Sequence, residues 1–111
     1  MAALDDDQSA AGDLSVEVTF DGAGEAMIRV AGEIDVATAD TVRTAVAAAL
    51  EHVPSALVFD LSGVDFIDSS GIAVLLEAAA KVDSVRIERP SNVVRRVIVA
   101  TGLTDVLPTD D

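Results

Sequence analysis

The segment Asp65-Phe66-Ile67-Asp68-Ser69-Ser70-Gly71-Ile72 sets two hydroxyls and a glycine directly after a carboxylate and directly before an apolar run. Three kinds of chemistry fit such a cluster: a serine nucleophile, a carboxylate site for acid–base work or a hard cation, and an acceptor on which another enzyme acts. A nucleophile needs a base to take its proton and a partner to orient that base. The chain has one histidine, His52. It stands beside Glu51 at the end of an expected helix, where the dipole favours a solvated imidazole. The elbow pattern G-x-S-x-G requires glycine where Ile67 or Asp68 stands. A hydrolase is therefore a poor fit.

The other two site chemistries fare little better. Asp60, Asp65 and Asp68 gather near the carboxyl end of one expected strand and could hold a hard cation or work as acid and base, but no second ligand-rich segment accompanies them. The chain has no cysteine, which removes thiolate metal sites and disulfides. Gly22 and Gly24 in DGAGEAM give a G-x-G without the third glycine, in a segment that reads as a hairpin turn and not as a loop before a helix. No metal, no cofactor and no catalytic activity are expected.

An acceptor role remains. Asp68 or Ser69 is expected to cap a helix N-terminus, and Gly71 lets the backbone turn closely. A hydroxyl there sits at the end of a rigid element, outside the core. The positive end of the helix would tolerate a phosphate, which would bring about −1.5 to −2 units of charge next to Asp68. At a docking surface that means repulsion and a desolvation cost without unfolding.

The elements that must position this cluster follow from hydrophobic period. Residues 1–13 are small, polar and acidic without periodicity and are expected to form a disordered acidic tail. Val16, Val18 and Phe20 then alternate with Ser15, Glu17 and Thr19, the mark of a half-buried strand. DGAGE supplies a turn, and AMIRVAGEID returns as the second strand of a hairpin. Val42, Val46, Ala49 and Leu50 recur at helical spacing, with Asp35 or Thr38 as candidate caps and Pro54 beyond the end. SALVFDLSGV is a continuous apolar run of the kind buried in a parallel sheet.

After the serine cluster, Ile72, Leu75, Leu76 and Ala79 mark a second helix, and Val85 and Ile87 a short strand. Pro90 and Ser91 open a third helix with Val93, Val94, Val97 and Ile98 on one side, which Gly102 ends. LTDVLP reads as a last strand. The predicted architecture is a single α/β domain over residues 14–108, a mixed β-sheet with helices packed on it in the order β-β-α-β-α-β-α-β, with 109–111 as an acidic C-terminal tail.

The net charge is −13, from 20 acidic and 7 basic residues. Seven of the acids lie in the tails, and residues 14–104 hold 13 acidic against 7 basic residues, a milder −6. Without clustered Lys or Arg, counterion release cannot drive binding to nucleic acid or to an anionic membrane. An acidic domain is instead steered toward basic protein surfaces. No apolar run approaches the roughly 18 residues of a membrane-spanning helix, and the N-terminus lacks the basic and apolar regions of a secretory signal. A soluble cytoplasmic protein without membrane insertion is expected.

Three stretches carry a family resemblance. VAGEIDVATADTVRTAV, LVFDLSGVDFIDSSGIAVLLEAA and RPSNVVRRVIVATGLTDVLP resemble, in that order, the opening to the first helix, the central strand with its phosphoacceptor turn, and the closing helix and strand of STAS domains, specifically of bacterial anti-sigma factor antagonists. The resemblance implies a partner switch. Such proteins bind a cognate anti-sigma factor, usually a serine kinase of the histidine-kinase-like ATPase fold, and so free a sigma factor for transcription. The kinase phosphorylates the hydroxyl after the aspartate, and a PP2C-type phosphatase reverses this.

Carried onto this chain, the acceptor is Ser69, with Ser70 second. Asp68 would orient the hydroxyl or contact the kinase, and Gly71 would permit close approach. The helix face from Ile72 onward, with Asp35, would form the docking surface. The chain departs from the family in EAAAKVDSVRIERP, where the segment after the second helix is short, so that this helix must end near Lys81. An alternative within the same resemblance is a constitutive STAS docking subunit of an ABC-type lipid transport complex.

Overall fold

The computed structural model describes residues 14–110, so the acidic tail expected at 1–13 lies outside the described residues, as does Asp111. The elements are β1 (Leu14–Phe20), β2 (Glu25–Ile34), α1 (Ala39–Leu50), β3 (Ala56–Ile67), α2 (Ser69–Ala79), β4 (Val85–Glu88), α3 (Asn92–Ala100) and β5 (Thr109–Asp110). This is the expected order. The strands lie in the sheet in chain order, β1 antiparallel to β2 and each later pair parallel. Right-handed crossovers that always step in one direction place every helix on the same face. The core agrees: Ala26, Ile28 and Val30 of β2, Leu57, Phe59 and Leu61 of β3 and Ile87 of β4 form one cluster with Val42, Val46, Leu75, Val94 and Ile98 of the helices.

Among the described residues the three helices lie on the core side, and on the opposite face of the sheet charged side chains pair with one another. Arg29 pairs across from Asp60, and Asp60 across from Glu88. The Arg29 Nε donates to the Asp60 carboxylate at 3.2 Å, and the Arg89 guanidinium donates to the same oxygen. Both arginine side chains are more than half exposed, whereas that of Asp60 is 1% exposed. Two flexible guanidinium arms therefore roof a buried carboxylate, on a face where Ala56 and Val58 of the same strand are buried as well. The Ser62 hydroxyl donates to its second oxygen at 2.8 Å. Burial pushes the Asp60 pKa up, but the hydrogen bonds from Arg89, Ser62 and Arg29 outweigh it and leave the group at about 2.

Helix ends follow the local chemistry. The Ser91 hydroxyl accepts from the Val94 N–H at 3.3 Å and caps α3. Gly102, at φ +72°, ends the same helix. The closing strand falls later than the expected 103–108. The Val106 and Leu107 N–H groups donate to the Leu103 carbonyl at 3.1 and 2.8 Å, so this segment curls and buries Leu107 completely. Only then does the chain extend, and β5 forms within the residues assigned to a C-terminal tail.

After α1 the chain passes through Val53 at φ +49°, with the side chain 87% exposed. A β-branched residue is strained in this left-handed region and gains no burial in return. Val53→Gly is expected to raise stability by about 1 kcal/mol, read as a higher urea midpoint with unchanged slope. Among the described residues no helix is long and apolar enough to cross a membrane.

Candidate functional site

The carboxyl ends of β2 and β3 lie side by side, with Ile34 paired to Ile67. The Asp68 N–H donates to the Ile34 carbonyl at 3.2 Å, which ties the turn after β3 to the turn after β2. Asp68 is the N-cap of α2, with extended backbone at φ −116°, ψ −168°. One of its carboxylate oxygens accepts from the Ser70 N–H at 2.8 Å and from the Gly71 N–H at 3.4 Å. Ser69 follows as the first helical residue and is exposed, while Ser70 is half-buried. The cap thus already satisfies two N–H groups of the first turn, and a group added to the Ser69 hydroxyl would not find those donors free.

Gly71 and Ile72 fill different places from those expected of a docking face. A Cβ at position 71 would lie 2.7 Å from Ile67 Cγ1 and 2.8 Å from Ile34 Cγ2. The close approach that Gly71 permits is therefore between α2 and its own sheet. Ile72 is 8% exposed and belongs to the core cluster. The cause is that α2 carries apolar residues around most of its circumference, with Gly71, Ile72, Val74, Leu75 and Ala78 all buried. Such a helix sinks into its neighbours. Its end near Lys81 is as expected, with Ala80 as the C-cap.

Asp35 lies in the neighbouring turn, half-buried. Its carboxylate accepts from the Ala37 N–H at 2.9 Å and from the Thr38 N–H at 3.2 Å, an Asx turn. Thr38, 3% exposed, completes the knot: its hydroxyl donates to the Glu33 carbonyl at 2.7 Å and accepts from the Asp35 N–H at 2.9 Å. Thr38 is the N-cap of α1 by position, but its side chain bonds backward to the turn and not forward to the helix. Sequence reasoning offered Asp35 and Thr38 as alternative caps. The Asp-x-x-Thr spacing was the signal that they work together.

The other chemistries find no support in this geometry. Asp60 is spent on Arg29, Arg89 and Ser62 on the face of the sheet opposite the core cluster, eight residues along the chain from Asp68 at the helix start. Among the described residues no group of three or more His, Asp or Glu is placed to hold a metal ion. His52 stacks on Phe20 with ring centroids 4.3 Å apart. It follows the far end of α1, a 12-residue helix of roughly 18 Å whose start lies by Asp35. The imidazole is a helix length from Ser69 and cannot serve it as a base.

A family model described as the STAS domain matches residues 17–111. The anti-sigma-F factor antagonist RsfB of Mycobacterium tuberculosis strain H37Rv is 37% identical over 93 residues, 80% of this chain and 76% of that protein. The crystal structure of an anti-sigma factor antagonist from Mycobacterium paratuberculosis superposes with a TM-score of 0.79 at 32% identity, covering 87% of this chain and 85% of that one. The unphosphorylated form of the anti-sigma factor antagonist SpoIIAA gives a TM-score of 0.74 at 20% identity over 87% of this chain and 89% of its own, a likeness of fold.

Proposed function

This chain belongs to the STAS domain family, and from that premise we propose that it is an anti-sigma factor antagonist switched by phosphorylation of Ser69. The partner is an anti-sigma factor that is also a serine kinase of the histidine-kinase-like ATPase fold, and a PP2C-type phosphatase resets the switch. The chain is a substrate and a binding module, acting in the cytoplasm. The observation that supports this reading best is the exposed hydroxyl of Ser69 beside a cap that is already complete.

In the kinase step the Ser69 hydroxyl oxygen bonds to the γ-phosphorus of ATP, the bond to the β-phosphate oxygen breaks, ADP leaves, and the hydroxyl proton passes to the kinase. The Asp68 carboxylate occupies the Ser70 and Gly71 N–H groups. The new phosphate therefore projects outward and adds about −1.5 to −2 charges beside Asp68. Docking is lost by repulsion and desolvation while the helix start keeps its hydrogen bonds. Ser70 is the second candidate acceptor, but its half-buried position after the cap makes it the harder target.

The test is intact mass with site mapping after incubation with ATP and each candidate kinase of the same genome, followed by binding titrations. One phosphate on Ser69 is expected, absent in Ser69→Ala, which keeps binding. Ser69→Glu is expected to weaken binding at least about tenfold, since one charge imitates phosphate only in part. Equal affinity of Ser69→Glu and the unchanged chain would remove the switch. Binding of a partner without any phosphate transfer would mark a constitutive docking module.

A further inference from the structure

The turn beside Ser69 presents two apolar side chains that the core does not use. Val36 is 81% exposed and Phe66 46% exposed. Phe66 stands on β3 opposite Glu33, and Val36 lies two residues past Ile34, whose carbonyl receives the Asp68 N–H. Both therefore belong to the same end of the sheet as Ser69. Single exposed apolar residues are ordinary, but the mounting of Val36 is not. The residues on either side of it are fixed by the Asp35 carboxylate and the Thr38 hydroxyl through hydrogen bonds of 2.7–3.2 Å. Local order is thus concentrated around a side chain that packs against almost nothing. A β-branched residue on a fixed mount loses little freedom when it enters a partner's pocket.

The surroundings state the charge of that partner. Residues 30–42 and 62–80 contain no Lys or Arg. Glu33, Asp35, Asp65 and Asp68 lie in the turns and strand ends around Val36 and Phe66, and Glu33 and Asp65 are exposed. An apolar centre with an acidic rim fits a basic surface with an apolar pocket, in the usual arrangement of anchor and rim.

We propose that Val36 and Phe66 form the apolar anchor by which this chain seats on a basic surface of its kinase-type anti-sigma factor, Val36 being the principal contact. The inference rests on the reading of the preceding subsection and separates two duties: Val36 and Phe66 hold the partner, and Ser69 releases it.

The experiment uses the full chain and the purified kinase shown to phosphorylate it. Val36→Ala, Val36→Asp, Phe66→Ser and Ser69→Glu are titrated against that kinase, with thermal unfolding of each variant. Val36→Ala is expected to weaken binding roughly tenfold and Val36→Asp roughly a hundredfold, mostly through faster dissociation. Val36→Asp is expected to melt with the unchanged chain. In the kinase assay the Val36 variants raise KM and leave kcat in place, because the acceptor itself is intact. If Val36→Asp and Phe66→Ser bind like the unchanged chain while Ser69→Glu loses affinity, the anchor is wrong and the antagonist reading stands. If no candidate kinase binds or phosphorylates the unchanged chain, both readings fall together.

Discussion

Gly71→Val is expected to lower the unfolding free energy by about 3 kcal/mol or more, and Gly71→Ala by about 1–2 kcal/mol. The first added carbon meets Ile67 Cγ1 at 2.7 Å and Ile34 Cγ2 at 2.8 Å, against the 3.5–4.0 Å at which carbon atoms attract. Neither contact is the free end of a flexible chain. Both belong to isoleucines, which are stiff at χ1, and Ile34 is 1% exposed and Ile67 5% exposed. Helix α2 must therefore lift from the sheet, and Ile72 and Leu75 lift with it. Alanine regains part of the loss through its better helix propensity, at most about 1 kcal/mol; valine does not. The measurement is the urea midpoint at constant slope. Unchanged midpoints for both variants would contradict the packing described for this helix.

Acidification is expected to remove about 2 kcal/mol of stability between roughly pH 4 and pH 2 through Asp60 alone. The folded pKa of about 2 lies below the ordinary 3.8. A depressed carboxylate pKa contributes stability that is fully present above the unfolded value and is lost as pH falls through the folded one. Replacing the group tests the assignment. Asp60→Asn is expected to be less stable than the unchanged chain at pH 7 by about 2 kcal/mol, and to show a flatter profile between pH 4 and pH 2. The loss stays near that figure because Arg29 and Arg89, being more than half exposed, return to water and are not stranded in the interior. A variant with the same acid slope as the unchanged chain would assign that slope to other carboxylates.

The sequence was most readable where structure is local. Alternation at Val16 and Val18, the apolar run of β3, a helix start at Asp68 or Ser69 and another at Pro90 and Ser91 all needed only neighbours within a few positions. Asp60 was less transparent: Arg29 and Arg89 reach it from 31 and 29 positions away, and no spacing rule announces a pairing made across strands. Ile72 was misplaced for a related reason. A helical wheel shows an apolar face, but how deep the helix sinks depends on the glycine beside it and the sheet beneath. The late strand was a misreading of period. Leu103 and Leu107 stand four apart, a helical interval, and the run LTDVLP concealed it. Val36 lay inside a motif valued for its aspartate, and the exposure of an apolar residue cannot be seen without the turn that lifts it.

The strand order repeats the chain order without exception, and this bears on how the protein is born. A sheet whose strands are laid down in sequence never requires a late segment to be threaded between two already paired. Each strand emerging from the ribosome finds its only earlier neighbour already available, so assembly can proceed in the direction of synthesis. The pairing of β2 with β3 and the link from Asp68 to Ile34 are complete once residue 79 is free. The turn that carries Ser69 can thus be built while β4, α3 and β5 are still being made, and the newborn chain completes this turn before its final strand.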